Sequence, residues 1–226
     1  MSDEPDSSFD LVGAGQVAKA IPAKAWEQLV ATACETFTQC LAPITATTSG
    51  LGRLIEAWFD KLIDAQKILA AETVSRATKK VARTGVKTRT NPKASVIVAV
   101  LNGSSIETDQ TIRELWANLL AQELVSGNVH PEFVHILPRL TSNDARTLSF
   151  IAKEGDRTLS RAKLNVFIKS LARIGLVEFQ EGSDFSVEHL AHLNLVTRVE
   201  GLWNLTATGR AFIQAVSDPS ITVEKE

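Results

Sequence analysis

Apolar residues recur at three- and four-residue spacing along most of this chain, the period of helices that bury one face. Trp26, Leu29, Val30, Ala33, Cys34, Phe37 and Leu41 form the first such stripe, after Pro22. Pro43 and the run Thr47-Thr48-Ser49-Gly50 predict a break and a turn. The strongest stripe follows: Leu51, Leu54, Ile55, Trp58, Phe59, Leu62, Ile63, Ile68 and Leu69, with Arg53, Glu56, Asp60, Lys61 and Asp64 opposite. It predicts a single helix from Leu51 to Arg83, ending near Gly85, on the order of 50 Å long at 1.5 Å per residue. Such a helix pairs with Ala23–Leu41 as a long hairpin. Its apolar face exceeds what the shorter helix covers, so the excess must meet the rest of the chain or a second copy.

Beyond Pro92 the pattern predicts a short helix from Ala94 to Leu101, closed by Asn102-Gly103. An amphipathic helix from Thr108 to Ser126 follows, with Ile112, Leu115, Trp116, Leu119 and Leu120 inward and Gly127 as its stop. His130-Pro131 restarts a short helix through Phe133 and Ile136, which Pro138 ends or kinks. Thr141 or Ser142 then caps a helix through Leu148 and Ile151. Leu159–Ile174 reads as a helix, Leu176–Phe179 as a strand, Ser186–Leu193 as a weaker helix, Val196–Leu205 as a hairpin about Glu200-Gly201, and Thr208–Val216 as a closing helix.

Composition narrows the class. The 226 residues are 44% hydrophobic and 22% charged, as in ordinary folded proteins, and the formal charge of −2 argues against a polybasic nucleic-acid binder. The acidic start, Met1–Asp10, lacks the basic and apolar regions of a secretory signal. The uncharged stretch Thr36–Gly52 is too polar and broken for a spanning helix, although an effector that lies on a membrane would use such a segment. Cys34 and Cys40 are badly spaced for a bridge within a helix. A cytoplasmic location is expected.

Candidate chemistry is sparse. Arg76, Lys79, Lys80 and Arg83, continuing to Lys87, Arg89 and Lys93, form a basic block without an acid. It reads as a solvated helix end or, alternatively, as an anion-binding surface. From residue 141 on, the element order resembles a winged helix-turn-helix module. That comparison puts Arg161, Asn165, Lys169 and Arg173 in a polar stripe on its second helix, where DNA would be read. The unit is nearly neutral, which favours a structural or protein-binding role. His189-x-x-His192 lacks further metal ligands nearby. No nucleophile motif, phosphate loop or paired carboxylates appear, so neither an enzyme nor a cofactor is expected.

Several segments in order resemble the abortive infection alpha family. They are Trp116-Ala-Asn-Leu-Leu-Ala121, Glu123, His130-Pro-Glu-Phe133, Ile136-Leu137, Asp144-Ala145-x-x-Leu148, Ile174-Gly175-Leu176 and Leu205-Thr206-x-x-Gly209-x-x-Phe212. The resemblance spans roughly residues 94–215 and implies a bacterial phage-defence protein with no catalytic residues to carry over. Its signature is mostly apolar, so Trp116, Leu120, Phe133 and Leu148 are read as core.

The expected protein is mainly α. It has a flexible acidic N-terminus (1–20), a long helical hairpin with a basic end (21–90), a helical core (91–140), a winged-helix-like unit with a small β-hairpin (141–217) and a flexible tail (218–226). The expected function is non-enzymatic defence or stress response through a protein partner or a second copy. A DNA-binding regulator and a membrane-perturbing effector are the alternatives, and neither nucleic acid nor membrane is the favoured partner.

Overall fold

The computed structural model describes residues 22–45, 49–86, 92–154, 159–160, 185–199 and 202–220. Helix α1 (Ala23–Thr45) is followed by α2 (Ser49–Asp60) and α3 (Asp64–Thr84). Next come α4 (Ala94–Ser104), α5 (Gln110–Ser126), the single turn α6 (Phe133–Ile136), a 3-10 turn at Leu137–Arg139, and α7 (Ser142–Glu154). The last part contains β1 (Leu159–Ser160), α8 (Phe185–His192), β2 (Val196–Val199), β3 (Leu202–Leu205) and α9 (Ala207–Val216). The chain is mainly helical, as expected, with a small antiparallel sheet near its C-terminal end.

The first departure lies in the N-terminal hairpin. Helix α1 continues through Pro43 to Thr45, since a proline removes one ladder bond and here stands two residues from the helix end. The expected Leu51–Arg83 helix is broken in two. Tight bonds from Lys61 N–H to the Trp58 carbonyl and from Leu62 N–H to the Phe59 carbonyl, both 3.1 Å, close α2. Ile63 is extended, and its N–H donates to the Gln66 side chain as α3 begins. The break lets α2 bury Ile55 and Phe59 and lets α3 bury Ala70, Val74 and Val81, while Leu54 and Ile63 stay exposed. In α2, Phe59 stacks on Phe37 of α1 at 3.8 Å, while α3 runs between α1 and α5. A straight helix of about 50 Å would have carried one half away from the core. Part of the excess apolar face thus meets the rest of the chain through α5.

Helix α5 is the axis of the fold. It touches α3, α4, α7 and α9, and ten of its 17 residues are buried, so it is enclosed on several sides where an amphipathic helix was expected. Asp109 caps it by accepting from the N–H groups of Thr111 and Ile112, and Gly127, in the left-handed region, ends it. Glycine at 103 is not the expected stop. It lies inside α4, which runs to Ser104, and it lets the Trp116 ring approach: a Cβ there would stand 2.3 Å from Trp116 Cζ2. Trp116, Leu120, Phe133 and Leu148 are all buried.

The sheet has the order β1-β3-β2, all antiparallel, with Val196 opposite Leu205 and Leu159 opposite Trp203. Leu159 and Ser160 are thus an edge strand and not the start of a helix; Trp203, with β-propensity and a buried side chain, gives them a partner. Arg161, Asn165, Lys169, Arg173 and the expected strand Leu176–Phe179 lie outside the described residues. Asp218, the first residue of the expected tail, is paired with Lys80.

Candidate functional site

Six charged side chains of alternating sign run from α5 across α3 to the end of α9. Arg113, on α5, pairs with Glu72 on α3, and Glu72 pairs with Arg76 one turn along. Arg76 reaches Glu114 on α5 at 3.0 Å. Glu114 accepts from Lys80 at 2.6 Å, and Lys80 also donates to Asp218 at 2.8 Å. The local geometry follows from helix periodicity. Residues 72, 76 and 80 stand four apart on one face of α3, so all three meet the adjacent charges of α5.

This arrangement removes Arg76 and Lys80 from the expected anion-binding surface. Lys80 is 7% exposed and faces two carboxylates, which no incoming phosphate could displace cheaply. Lys79 and Arg83 remain exposed on α3. The sequence hid the network because its acids come from elsewhere. Glu114 sits on α5 and Asp218 lies 138 positions from Lys80, whereas Glu72 and Arg76, at the spacing of one helical turn, were the single legible pair.

Burial works against Lys80, Glu114 and Asp218, yet their partners win. Lys80 is desolvated, but hydrogen bonds and charge from Asp218 and Glu114 raise its pKa above the ordinary 10.5. Glu114 and Asp218 are likewise desolvated, and their cationic and hydrogen-bonding partners hold them below 4.5 and 3.8 respectively. For Arg113, burial lowers the pKa. The carboxylates therefore add stability that is complete above their unfolded values and lost as pH falls through the lowered ones. Lys80 adds stability that is complete below 10.5 and lost as pH rises through its raised value. Lys80→Met is expected to lower stability by about 1–2 kcal/mol at neutral pH, after discounting for the 42% exposure of the Glu114 side chain. The gap to wild type should narrow as pH falls through the lowered values of Glu114 and Asp218, where both carboxylates take up protons. Urea titrations at several pH values would show this; a gap independent of pH would mean that Lys80 acts through packing alone.

Two other buried carboxylates act on backbone. Glu123, fully buried on α5, accepts from the Lys93 N–H at 2.6 Å and the Val129 N–H at 3.2 Å, so it ties the start of α4 to the exit of α5. Asp144, 1% exposed, caps α7: its Oδ2 accepts from the N–H and hydroxyl of Thr141, while its own N–H donates to Thr141 Oγ1. His189 Nδ1 stands 3.1 Å from the same Oδ2 and joins α8 to α7. His189 is thus turned toward a carboxylate. Among the described residues no group of three or more His, Cys, Asp and Glu is arranged to hold a metal. His192 is exposed.

Helix α8 carries the sequence Phe185-Ser-Val-Glu-His-Leu-Ala-His192, without Lys or Arg. Val187 and Leu190 are buried; Phe185 is 74% exposed and stacks on the His189 ring with centroids 5.9 Å apart. Arg198 on β2 lies over the Trp203 ring at 5.9 Å. No described helix is long and apolar enough to cross a membrane.

These features define a helical protein built around one enclosed helix, with most of its interhelical charges paired internally and a small sheet at one end. The chain belongs to the abortive infection alpha family, whose profile matches residues 65–208, well over half of its length. The match begins at the first turn of α3 and reaches the start of α9, so it extends further toward the N-terminus than the resemblance read from residue 94. Neither a curated protein nor a solved structure matches the chain.

Proposed function

We propose that this chain is a non-enzymatic phage-defence protein that acts by binding another protein through a winged-helix-like C-terminal unit. Its family supports the defence role. The order α7, β1, α8, β2, β3, with β3 central in the sheet, supports the winged-helix comparison. In that frame β2 and β3 are the wing. The described helix directly before the wing is α8, while the 161–173 segment lies outside the described residues.

One observation favours protein over DNA. Reading DNA requires cationic donors for phosphates and bases, and α8 has none. It offers instead a largely exposed phenylalanine, the kind of aromatic anchor on which protein interfaces depend. Phe185→Asp is therefore expected to abolish protection in a phage plaquing assay while leaving the melting temperature within about 2 °C, as for a surface substitution. Undiminished protection would sink the proposal. So would submicromolar, sequence-selective binding of duplex DNA at about 150 mM salt, which would put the DNA-binding regulator first.

A further inference from the structure

Ala207, Ala211 and Ala215 recur every four residues along α9 and share one face. Their side chains are too short to reach the segment that connects α5 to α6, and a half-open groove of about 530 Å³ lies between them. Val129 and Phe133, both buried, line its apolar side, and Phe133 is held edge-on by Phe212 at 5.5 Å.

The polar lining is poised for hydrogen bonding. The side chains of Gln122 and Gln214, on α5 and α9, face the groove with no partner among the described residues. His130 Nδ1 accepts the Glu132 N–H at 3.2 Å, so in the neutral ring the proton resides on Nε2, which is left as a donor. Among the described residues, Glu132 is the one carboxylate that lines the groove, and no Lys or Arg does. The neighbouring Lys93 ammonium is held by the Val129 carbonyl at 2.8 Å.

We infer that this groove binds an extended peptide segment of a partner protein, one with an apolar side chain beside a lysine or arginine. A glutamine amide presents one donor group and one acceptor, the complement of a peptide bond, and two of them flank the groove. The apolar side takes one side chain of the bound segment. The Glu132 carboxylate, without a lining cation among the described residues, selects a basic neighbour and opposes phosphate-bearing ligands. The inference rests on the protein-contact reading above but uses a surface separate from Phe185.

The test is selection from a positional-scanning hexapeptide library with the full chain. Enrichment of an apolar residue adjacent to Lys or Arg is expected. Ala211 is exposed, so the fold accommodates Ala211→Leu, which fills the groove and should weaken the selected peptide by about tenfold or more. Gln214→Lys, also at an exposed position, should do the same by repulsion. Glu132→Gln should retain binding but lose the preference for a basic residue. No enrichment, a preference for acidic peptides, or equal binding by Ala211→Leu would overturn the inference. Self-association abolished by Ala211→Leu, without peptide selection, would also overturn it and make a second copy the occupant. Phe185→Asp should bind the selected peptide as wild type does, so a failure of the α8 reading and a failure of the groove remain distinguishable. Loss of peptide binding in that variant would move the site off the groove.

Discussion

Trp116→Ala is expected to lower stability by roughly 3–5 kcal/mol, the range for deleting a large buried aromatic ring. The indole is 1% exposed and sits on the central helix against the backbone of α4. Relaxation cannot fill the resulting cavity easily. The facing residue is Gly103, which has no side chain to move inward, and the neighbours Leu119 and Leu120 are themselves fully buried. One term works the other way: the indole Nε1 is buried without a partner, so the native ring already carries a desolvation cost that its removal relieves. Urea unfolding followed by far-ultraviolet circular dichroism measures the change without relying on tryptophan fluorescence. A loss below about 1 kcal/mol would place the ring outside the core.

Gly209→Ala is expected to be nearly as damaging, by roughly 3 kcal/mol, although it adds a single methyl group. A Cβ at this position would stand 1.9 Å from the Leu195 carbonyl oxygen and 2.9 Å from its carbon. The obstacle is backbone, which cannot rotate away as a side chain could. It is also anchored, because that carbonyl accepts the Thr206 N–H at 3.1 Å while the Thr206 hydroxyl caps α9 by accepting the Gly209 N–H at 2.8 Å. Relief would require α9 to separate from the segment before β2 and would break the cap. The same unfolding measurement applies; a variant as stable as wild type would show that α9 does not start against Leu195. Ala at 209 has better helix propensity than Gly, so propensity alone predicts the opposite sign.

Features set by local periodicity were legible in the sequence, and those set by distant partners were not. The stop at Gly127, the hairpin strands at 196–199 and 202–205, and the burial of Trp116 each follow from spacing and residue type within a short window. The break at Ile63 does not, because nothing between Asp60 and Asp64 forbids a helix. It arises because Phe59 stacks on Phe37 while α3 follows α5. Gly103 carries the usual mark of a helix end, yet it serves a contact 13 positions away. Leu159-Ser160 has no strand pattern of its own and becomes a strand through β3. At the candidate sites, the block at residues 76–83 was visible as charge, but its neutralisation by Glu114 and Asp218 depends on packing that composition does not record. The α9 groove was invisible for a related reason: three alanines four apart read as good helix former, and the space beside them appears once the α5–α6 connection lies opposite.

The alternating charges from Arg113 to Asp218 also bear on how this sequence can vary. Glu72 serves two arginines, Glu114 serves Arg76 and Lys80, and Lys80 serves two acids, so a reversal of sign at any one of these positions sets like charges side by side. Exchanging one pair only moves the clash: an arginine at 72 would face Arg76, and an aspartate at 80 would face Glu114. The six positions therefore form one linked set, in which a sign reversal at one is relieved only by changes at all of its neighbours. Because 218 falls beyond the end of the family match at 208, that set ties a terminal segment outside the shared region to the helices within it.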